Sequence, residues 1–187
     1  MGNTALLLID YQNDYFPSYN GAKWPLSETE NAANNGAKLL SLFREKKGLV
    51  IHVRHESLTD DAPFFLPNSE GAEIHSCVAP IDDEPVIVKH EINSFKSTKL
   101  DEILRQNSIE KLVIVGAMSH MCIDAVTRAA TDLGYECNVA HDACTTLALE
   151  FNGVMVPSSH VHAAFMSALS FGYCNVDTTA NLAKLIA

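Results

Sequence analysis

Short apolar runs of strand length alternate with longer helical patterns along this chain. The first run, at residues 5–9, is continuous and apolar, as expected for a strand buried on both faces of a sheet. Similar runs follow at 49–53, 86–88, 112–115, 137–140 and 175–176. This alternation predicts an α/β fold, a three-layer α-β-α arrangement around a doubly wound, mostly parallel sheet of about six strands.

Local signals predict where the helices begin and end. Residues 27–30, Ser-Glu-Thr-Glu, have the spacing of a capping box, which predicts a helix from there to about Lys47 with Gly48 as its stop. Further helices are predicted from Thr98 to about 106, from about 120 to 133, from 157 onward and up to 186. Between residues 55 and 83 no period is recognisable, so we predict a long loop of the kind that often serves a function.

Length and charge exclude several classes of protein. The 187 residues suit a single domain, predicted to span 1–187. The formal net charge of −10 argues against binding to nucleic acid or to an anionic membrane, since both need a basic face. No apolar stretch approaches the ~20 residues of a membrane span, and the chain does not begin with a basic leader, so we expect a cytoplasmic protein.

Metal and disulfide sites are not expected from the sequence. The five cysteines are scattered and form no CxxC pair, which disfavours a disulfide framework or a zinc ribbon. His52 and His55 are metal candidates, but residues three apart on a strand point to opposite faces of the sheet. We therefore expect no metal and no cofactor.

Three polar residues follow predicted strands. Asp10 comes directly after the first strand, Lys89 after the third, and Cys122 shortly after the fourth. The carboxyl ends of parallel strands share one edge of the sheet, where the sites of such folds gather, so we expect these side chains to converge. Taken singly, each has a plain alternative: a turn cap for Asp10, a solvated strand end for Lys89 and an inert buried thiol for Cys122.

A thiol, a carboxylate and an ammonium in one cleft can hydrolyse an acyl compound. A thiol near the start of a helix meets unpaired N–H groups and the positive end of the helix dipole, which favours thiolate, and Lys89 would favour it further. Asp10 can take the thiol proton and return it to a leaving amine. Backbone N–H groups from residues 118–122 can hold the oxyanion of a tetrahedral intermediate.

The segments around these residues resemble the isochorismatase-like cysteine hydrolase superfamily, which includes nicotinamidases and N-carbamoylsarcosine amidohydrolases. Residues 5–16, ALLLIDYQNDYF, are similar to that family's opening strand and catalytic aspartate. Residues 88–98 resemble its lysine segment and 115–122, VGAMSHMC, its nucleophile segment. Similarity at 71–75 and 142–144 extends the resemblance over nearly the whole chain.

The resemblance implies a catalytic triad and an oxyanion hole. The triad would consist of Asp10, Lys89 and Cys122. A cis peptide between Ala117 and Met118 would aim the Met118 N–H, together with that of Cys122, at the oxyanion.

The resemblance also bears on substrate, metal and assembly. It implies that Tyr15 and Phe16 wall the pocket for a small-molecule substrate. Arg54 is a candidate partner for a substrate carboxylate, with a surface ion pair as the alternative. Nicotinamidases carry an Asp-x-His metal pair after the second strand, and residues 51–56 lack it. Family members are commonly dimers or larger, which implies a homo-oligomer.

Three functions remain open at the level of sequence. The first is hydrolysis of a C–N bond in a small amide, imide or carbamoyl compound through a thioester at Cys122. The second is isochorismate hydrolysis, a vinyl ether cleavage that needs Asp10 but no thiol; isochorismatases proper often have glycine at the nucleophile position. The third is a catalytically silent binding or assembly protein on the same fold.

Overall fold

The computed structural model describes residues 2–59 and 61–186 and contains a parallel sheet with helices on both faces. Its strands are β1 (Thr4–Ile9), β2 (Leu49–His55), β3 (Val86–Lys89), β4 (Lys111–Ala117), β5 (Glu136–Thr145), β6 (Leu149–Phe151), β7 (Val154–Val156) and β8 (Asn175–Asp177). Strands β6 and β7 form a separate antiparallel hairpin. The other six lie in the order β3-β2-β1-β4-β5-β8 and pair in parallel. The predicted α/β fold with about six strands is confirmed.

Helices cover both faces of this sheet. They are α1 (Thr29–Glu45), α2 (Leu100–Gln106), α3 (Asp124–Asp132), α4 (Ser158–Gly172) and α5 (Thr179–Ile186). Side chains alternate along a strand, so Leu6 and Leu8 of β1 pack in a core with α1 and α5, whereas Leu7 packs in a second core with α2, α3 and α4. Among the described residues, no helix combines the length and the hydropathy that a membrane span requires.

The order of the strands creates a crevice at the carboxyl end of β1. The chain adds β2 and β3 on one side of β1, and then β4, β5 and β8 on the other. Crossovers therefore leave β1 and β4 toward opposite faces, which opens a crevice between their ends, as in other doubly wound sheets. Asp10 follows β1 and Cys122 lies beyond β4, so the fold brings both to this crevice.

The predicted capping box at 27–30 is wrong. Helix α1 begins at Thr29, and the residue before it, Glu28, caps no backbone N–H with its side chain. The Thr29 hydroxyl instead donates to the carbonyl of Leu26 at 3.0 Å. The Thr29 side chain therefore bonds to the preceding turn, while Glu28 accepts from the side chain of Asn31 and Glu30 from the N–H of Ser18.

The β6–β7 hairpin was not predicted, although the sequence carries its signal. Asn152 and Gly153 join the two strands with φ values of 52° and 78°. An Asn-Gly pair with positive φ at both positions is typical of a tight two-residue hairpin turn.

The predicted domain also includes residues 1, 60 and 187, which lie outside the described residues.

Candidate active site

Asp10 leaves β1 in an uncommon backbone conformation. Its φ is +53°, a left-handed value that few residues other than glycine adopt. The backbone N–H donates to the carbonyl of Val53 at 2.9 Å, which ties this turn to β2. The carboxylate is 1% exposed, Oδ2 is paired with the ammonium of Lys89, and Oδ1 has no hydrogen bond with the described residues. Oδ1 therefore has lone pairs available to an incoming proton.

Lys89 is the centre of the cluster. Its side chain is fully buried, and Nζ lies 3.0 Å from Oδ2 of Asp10 in an ion pair. Nζ is also 3.2 Å from Sγ of Cys122, 3.1 Å from Nδ1 of His55 and 3.1 Å from the carbonyl oxygen of Glu91. Burial alone would lower the pKa of Lys89, but Asp10 and Cys122 outweigh it and raise the pKa. Lys89 is therefore an ammonium that contacts both other members of the predicted triad.

Cys122 lies in a turn of π-helix, Ser119–Ile123, that precedes α3. The expectation that its surroundings favour the thiolate is wrong for this structure. Burial raises the pKa of Cys122 to about 12, the negative charge of Asp10 adds to the increase, and Lys89 offsets only part of it. At neutral pH the sulfur therefore carries its proton.

The charges of the cluster nevertheless suit proton transfer. A protonated thiol, the carboxylate of Asp10 and the ammonium of Lys89 sum to zero net charge, which a buried site tolerates best. Moving the thiol proton to Asp10 places the negative charge on sulfur without changing this sum. The ammonium contacts both groups and can stabilise the negative charge on either.

The peptide bond between Ala117 and Met118 is cis, and it leads directly into the turn that carries Cys122. Behind this turn, the Ser119 hydroxyl lies 3.2 Å from the carbonyl of Thr145 and 2.8 Å from Nδ1 of His162. These contacts fix the turn to the end of β5 and to α4.

The two aromatic residues of the opening loop have different surroundings. Tyr15 is buried, and burial, followed by the negative charge of Asp10, raises its pKa well above the ordinary value. Its ring packs against Phe65 at 4.5 Å. Phe16 stacks on the ring of His75 at 3.7 Å, in the packing of the loop. Tyr15 therefore stays a candidate for the pocket wall, whereas the contacts of Phe16 are with the loop.

Arg54 is engaged by carboxylates of the chain itself. Its guanidinium forms ion pairs with Glu56 and with Glu73, the latter at 2.8 Å. The alternative of an ion pair is thus what the structure shows, and we do not assign Arg54 to substrate.

Sequence reasoning missed two polar contacts at the site. The Gln12 amide donates to the carbonyls of His55 and Ala72, each at 2.7 Å, and accepts from the N–H of His55 at 2.8 Å. It thereby fixes the end of β2 and the long loop against the end of β1. The sequence signal for these hydrogen bonds was the polar amide of Gln12, two residues after the aspartate that ends the first strand. His55 was considered only as a metal ligand, yet it contacts Lys89.

Neither histidine of β2 forms part of a metal cluster. Nε2 of His52 pairs with Glu84 at 2.9 Å, whereas Nδ1 of His55 faces Lys89. In the described part of the chain, no group of three or more His, Cys, Asp or Glu side chains is placed to hold a metal ion.

A cavity of about 420 Å³ opens between the starts of α1 and α4, and none of Asp10, Lys89 or Cys122 lines it.

Comparison with known proteins identifies the family. The isochorismatase domain family model matches residues 4–166. The chain is 51% identical over 176 residues to the isochorismatase family protein YddQ of Bacillus subtilis, covering 94% of this chain and 96% of that protein. A streptothricin hydrolase of Streptomyces noursei is 31% identical over 144 residues, which are 76% of this chain and 49% of that protein. The crystal structure of an isochorismatase hydrolase from Oleispira antarctica superimposes with a TM-score of 0.95 at 64% identity, covering 98% of this chain and 97% of that one. The chain therefore belongs to the isochorismatase family of hydrolases.

Proposed function

We propose that this chain is a cysteine hydrolase that cleaves a C–N bond in a small amide, imide or carbamoyl compound through a thioester at Cys122. The observation that carries the proposal is the position of the Lys89 ammonium, 3.2 Å from Sγ of Cys122 and 3.0 Å from Oδ2 of Asp10. Vinyl ether hydrolysis has no need of a thiol, so a sulfur held in this cluster favours acyl transfer. The relative named as a streptothricin hydrolase supports hydrolysis as the reaction.

In the first half of the reaction, Cys122 attacks the substrate carbonyl. Its proton moves to Asp10 as the S–C bond forms, so the thiolate need not exist in the free protein. The N–H groups of Met118 and Cys122 are assigned to the oxyanion, where one donor typically contributes ~2.7–4 kcal/mol. Asp10 then protonates the leaving nitrogen, the C–N bond breaks, and the thioester remains.

In the second half, water replaces the amine. Asp10 takes a proton from the water as its oxygen attacks the thioester carbonyl, and the proton then returns to the sulfur as the S–C bond breaks. Lys89 keeps its charge throughout and contacts whichever of Asp10 and Cys122 is negative.

The thioester can be trapped directly. Incubating the protein with a panel of amides, imides and carbamoyl compounds, followed by mass spectrometry of the tryptic peptides, is expected to show an acyl adduct on Cys122. Cys122→Ala is expected to reduce turnover of the same compound at least roughly 1,000-fold, because the nucleophile is gone. Cys137→Ala removes another buried thiol, whose sulfur lies near the backbone carbonyls of Thr127 and Tyr135, and should keep most of the activity.

Full amide turnover by Cys122→Ala would contradict the thioester. The family assignment makes isochorismate hydrolysis the second candidate function, in which Asp10 protonates the vinyl ether and Cys122 is a bystander. Equal release of pyruvate from isochorismate by the wild type and by Cys122→Ala would establish that candidate. A protein inactive on both classes of compound would instead support the third possibility, a catalytically silent binding or assembly protein on the same fold.

We also propose that residues 1–187 act as one domain that assembles into a homo-oligomer through the outer face of α4 and the β6–β7 hairpin. Helix α4 contains no Asp, Glu, Lys or Arg in its fifteen residues. Phe171 at its end is 94% exposed, and Phe151, Val154 and Met155 of the hairpin are also exposed. Exposed apolar surface of this kind is typical of protein interfaces. The lack of charged residues on α4 also lets two copies of an acidic chain approach each other there with little charge repulsion.

A further inference from the structure

The imidazole of His55 contacts the ammonium at the centre of the cluster. Strands β2 and β3 pair in a register that sets His55 opposite Lys89. The resulting distance between Nδ1 of His55 and Nζ of Lys89 is 3.1 Å. An ammonium carries only N–H donors, so Nδ1 must offer a lone pair, and the proton of the neutral ring must lie on Nε2.

The described residues place four acceptors around the three protons of the Lys89 ammonium. Two of them, the carboxylate of Asp10 and the sulfur of Cys122, exchange the negative charge when the thiol proton moves. The other two, Nδ1 of His55 and the carbonyl oxygen of Glu91, keep the same charge throughout. These two constant contacts are therefore suited to hold the ammonium in place while its charged partners change.

His55 is itself held firmly in place. Its backbone N–H and C=O both bond to the side chain of Gln12, at 2.8 Å and 2.7 Å, and Gln12 lies two residues after Asp10. The ring of Phe65 lies beside the imidazole, with a centroid distance of 6.2 Å and a tilt of 39°. The backbone of His55 is therefore tied to the strand end that carries Asp10, and its ring has Phe65 on one side.

We propose that His55 is a positioning residue for Lys89 and supports the reaction only in its neutral form. The proposal rests on the proposed function of Cys122 in that Lys89 acts through the sulfur. A protonated His55 would lose the lone pair that accepts from Lys89. It would also place a second positive charge beside the ammonium.

The charged groups around His55 favour the neutral ring. Burial lowers the pKa of His55, and the charges of Lys89 and His90 lower it further, whereas Asp10 and the backbone of Glu91 act in the opposite direction. The pKa of His55 therefore lies below its usual value near 6.5. The neutral form is thus present at and above neutral pH, and the contact is lost as the pH falls through this lowered pKa.

Two substitutions at His55 distinguish the role of the Nδ1 lone pair from the effect of protonating the ring. His55→Asn keeps an acceptor, since its amide oxygen can take the place of Nδ1, but cannot be protonated in this range. His55→Leu removes the acceptor altogether. His90→Asn is the matched control, because His90 is a neighbouring exposed histidine whose Nδ1 faces the carbonyl of Glu56 rather than Lys89.

Acylation of Cys122 by 4-nitrophenyl acetate provides the first readout, with kcat and KM measured between pH 5 and 9. At pH 8, His55→Leu is expected to lower kcat by about 10- to 100-fold, the rate equivalent of one hydrogen bond to a charged group, with little change in KM. His55→Asn is expected to restore most of kcat and to lose the acidic limb of the wild type. His90→Asn should keep this limb, displaced slightly toward higher pH, because it removes a charge that lowers the pKa of His55. A kcat for His55→Leu within twofold of wild type, or an unchanged acidic limb in His55→Asn, would overturn the proposal.

Alkylation of Cys122 by iodoacetamide at pH 8.5 provides a readout that is independent of turnover. We expect His55→Leu to be alkylated several-fold more slowly than wild type and His55→Asn to be close to wild type, because Lys89 stabilises the thiolate only when it is held beside the sulfur. Equal rates in all three proteins would overturn the role of His55. If Cys122→Ala hydrolyses 4-nitrophenyl acetate as fast as wild type, the proposed function fails. The alkylation rates would still test whether His55 positions Lys89 beside the sulfur.

Discussion

Cys122 is a side chain whose charge is decided by its surroundings. Ionising it in the free protein would set two negative charges, its own and that of Asp10, against the single ammonium of Lys89. Unit charges about 4 Å apart interact by about 4 kcal/mol at an effective dielectric constant of 20, so the second negative charge is strongly unfavourable in a dry cluster. Burial is the largest cause of the pKa near 12, and this repulsion from Asp10 adds to it, so the pKa is high although Lys89 is in contact with the sulfur.

We predict that alkylation of Cys122 by iodoacetamide is slow at pH 7 and accelerates about tenfold for each pH unit up to pH 9, because the thiolate fraction of a group with such a pKa grows in that proportion. The measurement is the rate of modification of the peptide containing Cys122 by mass spectrometry. The exposed thiol of Cys77 serves as an internal comparison.

Asp10→Asn tests the cause of this behaviour. Removing the carboxylate removes one of the charges that raise the pKa of Cys122, so alkylation at a given pH should become faster while turnover is lost. A rate for wild-type Cys122 that levels off below pH 8 would show that the thiolate already exists, and the raised pKa would then be wrong.

At the scale of elements, Gly116 sets how closely β1 and β4 approach. It pairs with Ile9 in the sheet and has a φ of +133°, which L side chains rarely adopt. A Cβ atom at this position would lie 2.0 Å from the carbonyl oxygen of Ile9. The neighbours of these two residues lead directly to Asp10 and to the turn of Cys122, so the contact keeps both sides of the site together.

Gly116→Ala is therefore expected to lower the free energy of unfolding by about 3 kcal/mol or more, because both the steric conflict and the φ value oppose it. Denaturant unfolding measures the effect. Gly134→Ala is the matched control: its φ is +95°, but no atom lies within 4 Å of the added Cβ. We expect a loss of about 1–2 kcal/mol there, from backbone strain alone. Equal losses in the two variants would contradict the steric argument.

At the scale of the whole molecule, charge and apolar surface are unevenly distributed. The net charge is −10, yet α4 has no charged residue, and small side chains including Ala164 and Ala168 lie exposed along it before Phe171. Small exposed side chains let another helix pack closely. Self-association through α4 therefore brings few negative charges of the two copies close together.

Ala168→Glu is predicted to convert the proposed oligomer into monomers, because each copy would bring a buried, unpaired carboxylate into the interface, at a cost of several kcal/mol. Sedimentation equilibrium measures the mass. Leu185→Glu, at an exposed leucine of α5, is the control and should keep the mass of the wild type. A wild-type protein that is monomeric at micromolar concentration would contradict the interface.

Local sequence patterns were sufficient to predict the strands of the parallel sheet and to name the residues of the candidate site. Continuous apolar runs and their spacing are local properties, so the strands of the parallel sheet begin near where those runs predict them, although β5 continues to Thr145 beyond its predicted end at Ala140. Parallel strands gather their carboxyl ends at one edge, so Asp10, Lys89 and Cys122 could be named together from the sequence alone. The Asn-Gly turn of the β6–β7 hairpin was equally local and could have been predicted.

The contacts and protonation of these groups, by contrast, depend on the folded chain. The pairing of His55 with Lys89 depends on the register between β2 and β3, and the engagement of Arg54 depends on Glu73 from a distant loop. The raised pKa of Cys122 depends on how completely the chain excludes water from the cluster. Register and desolvation arise from contacts between residues far apart in sequence, which no local pattern records, whereas strand and helix periodicity arise from neighbours along the chain.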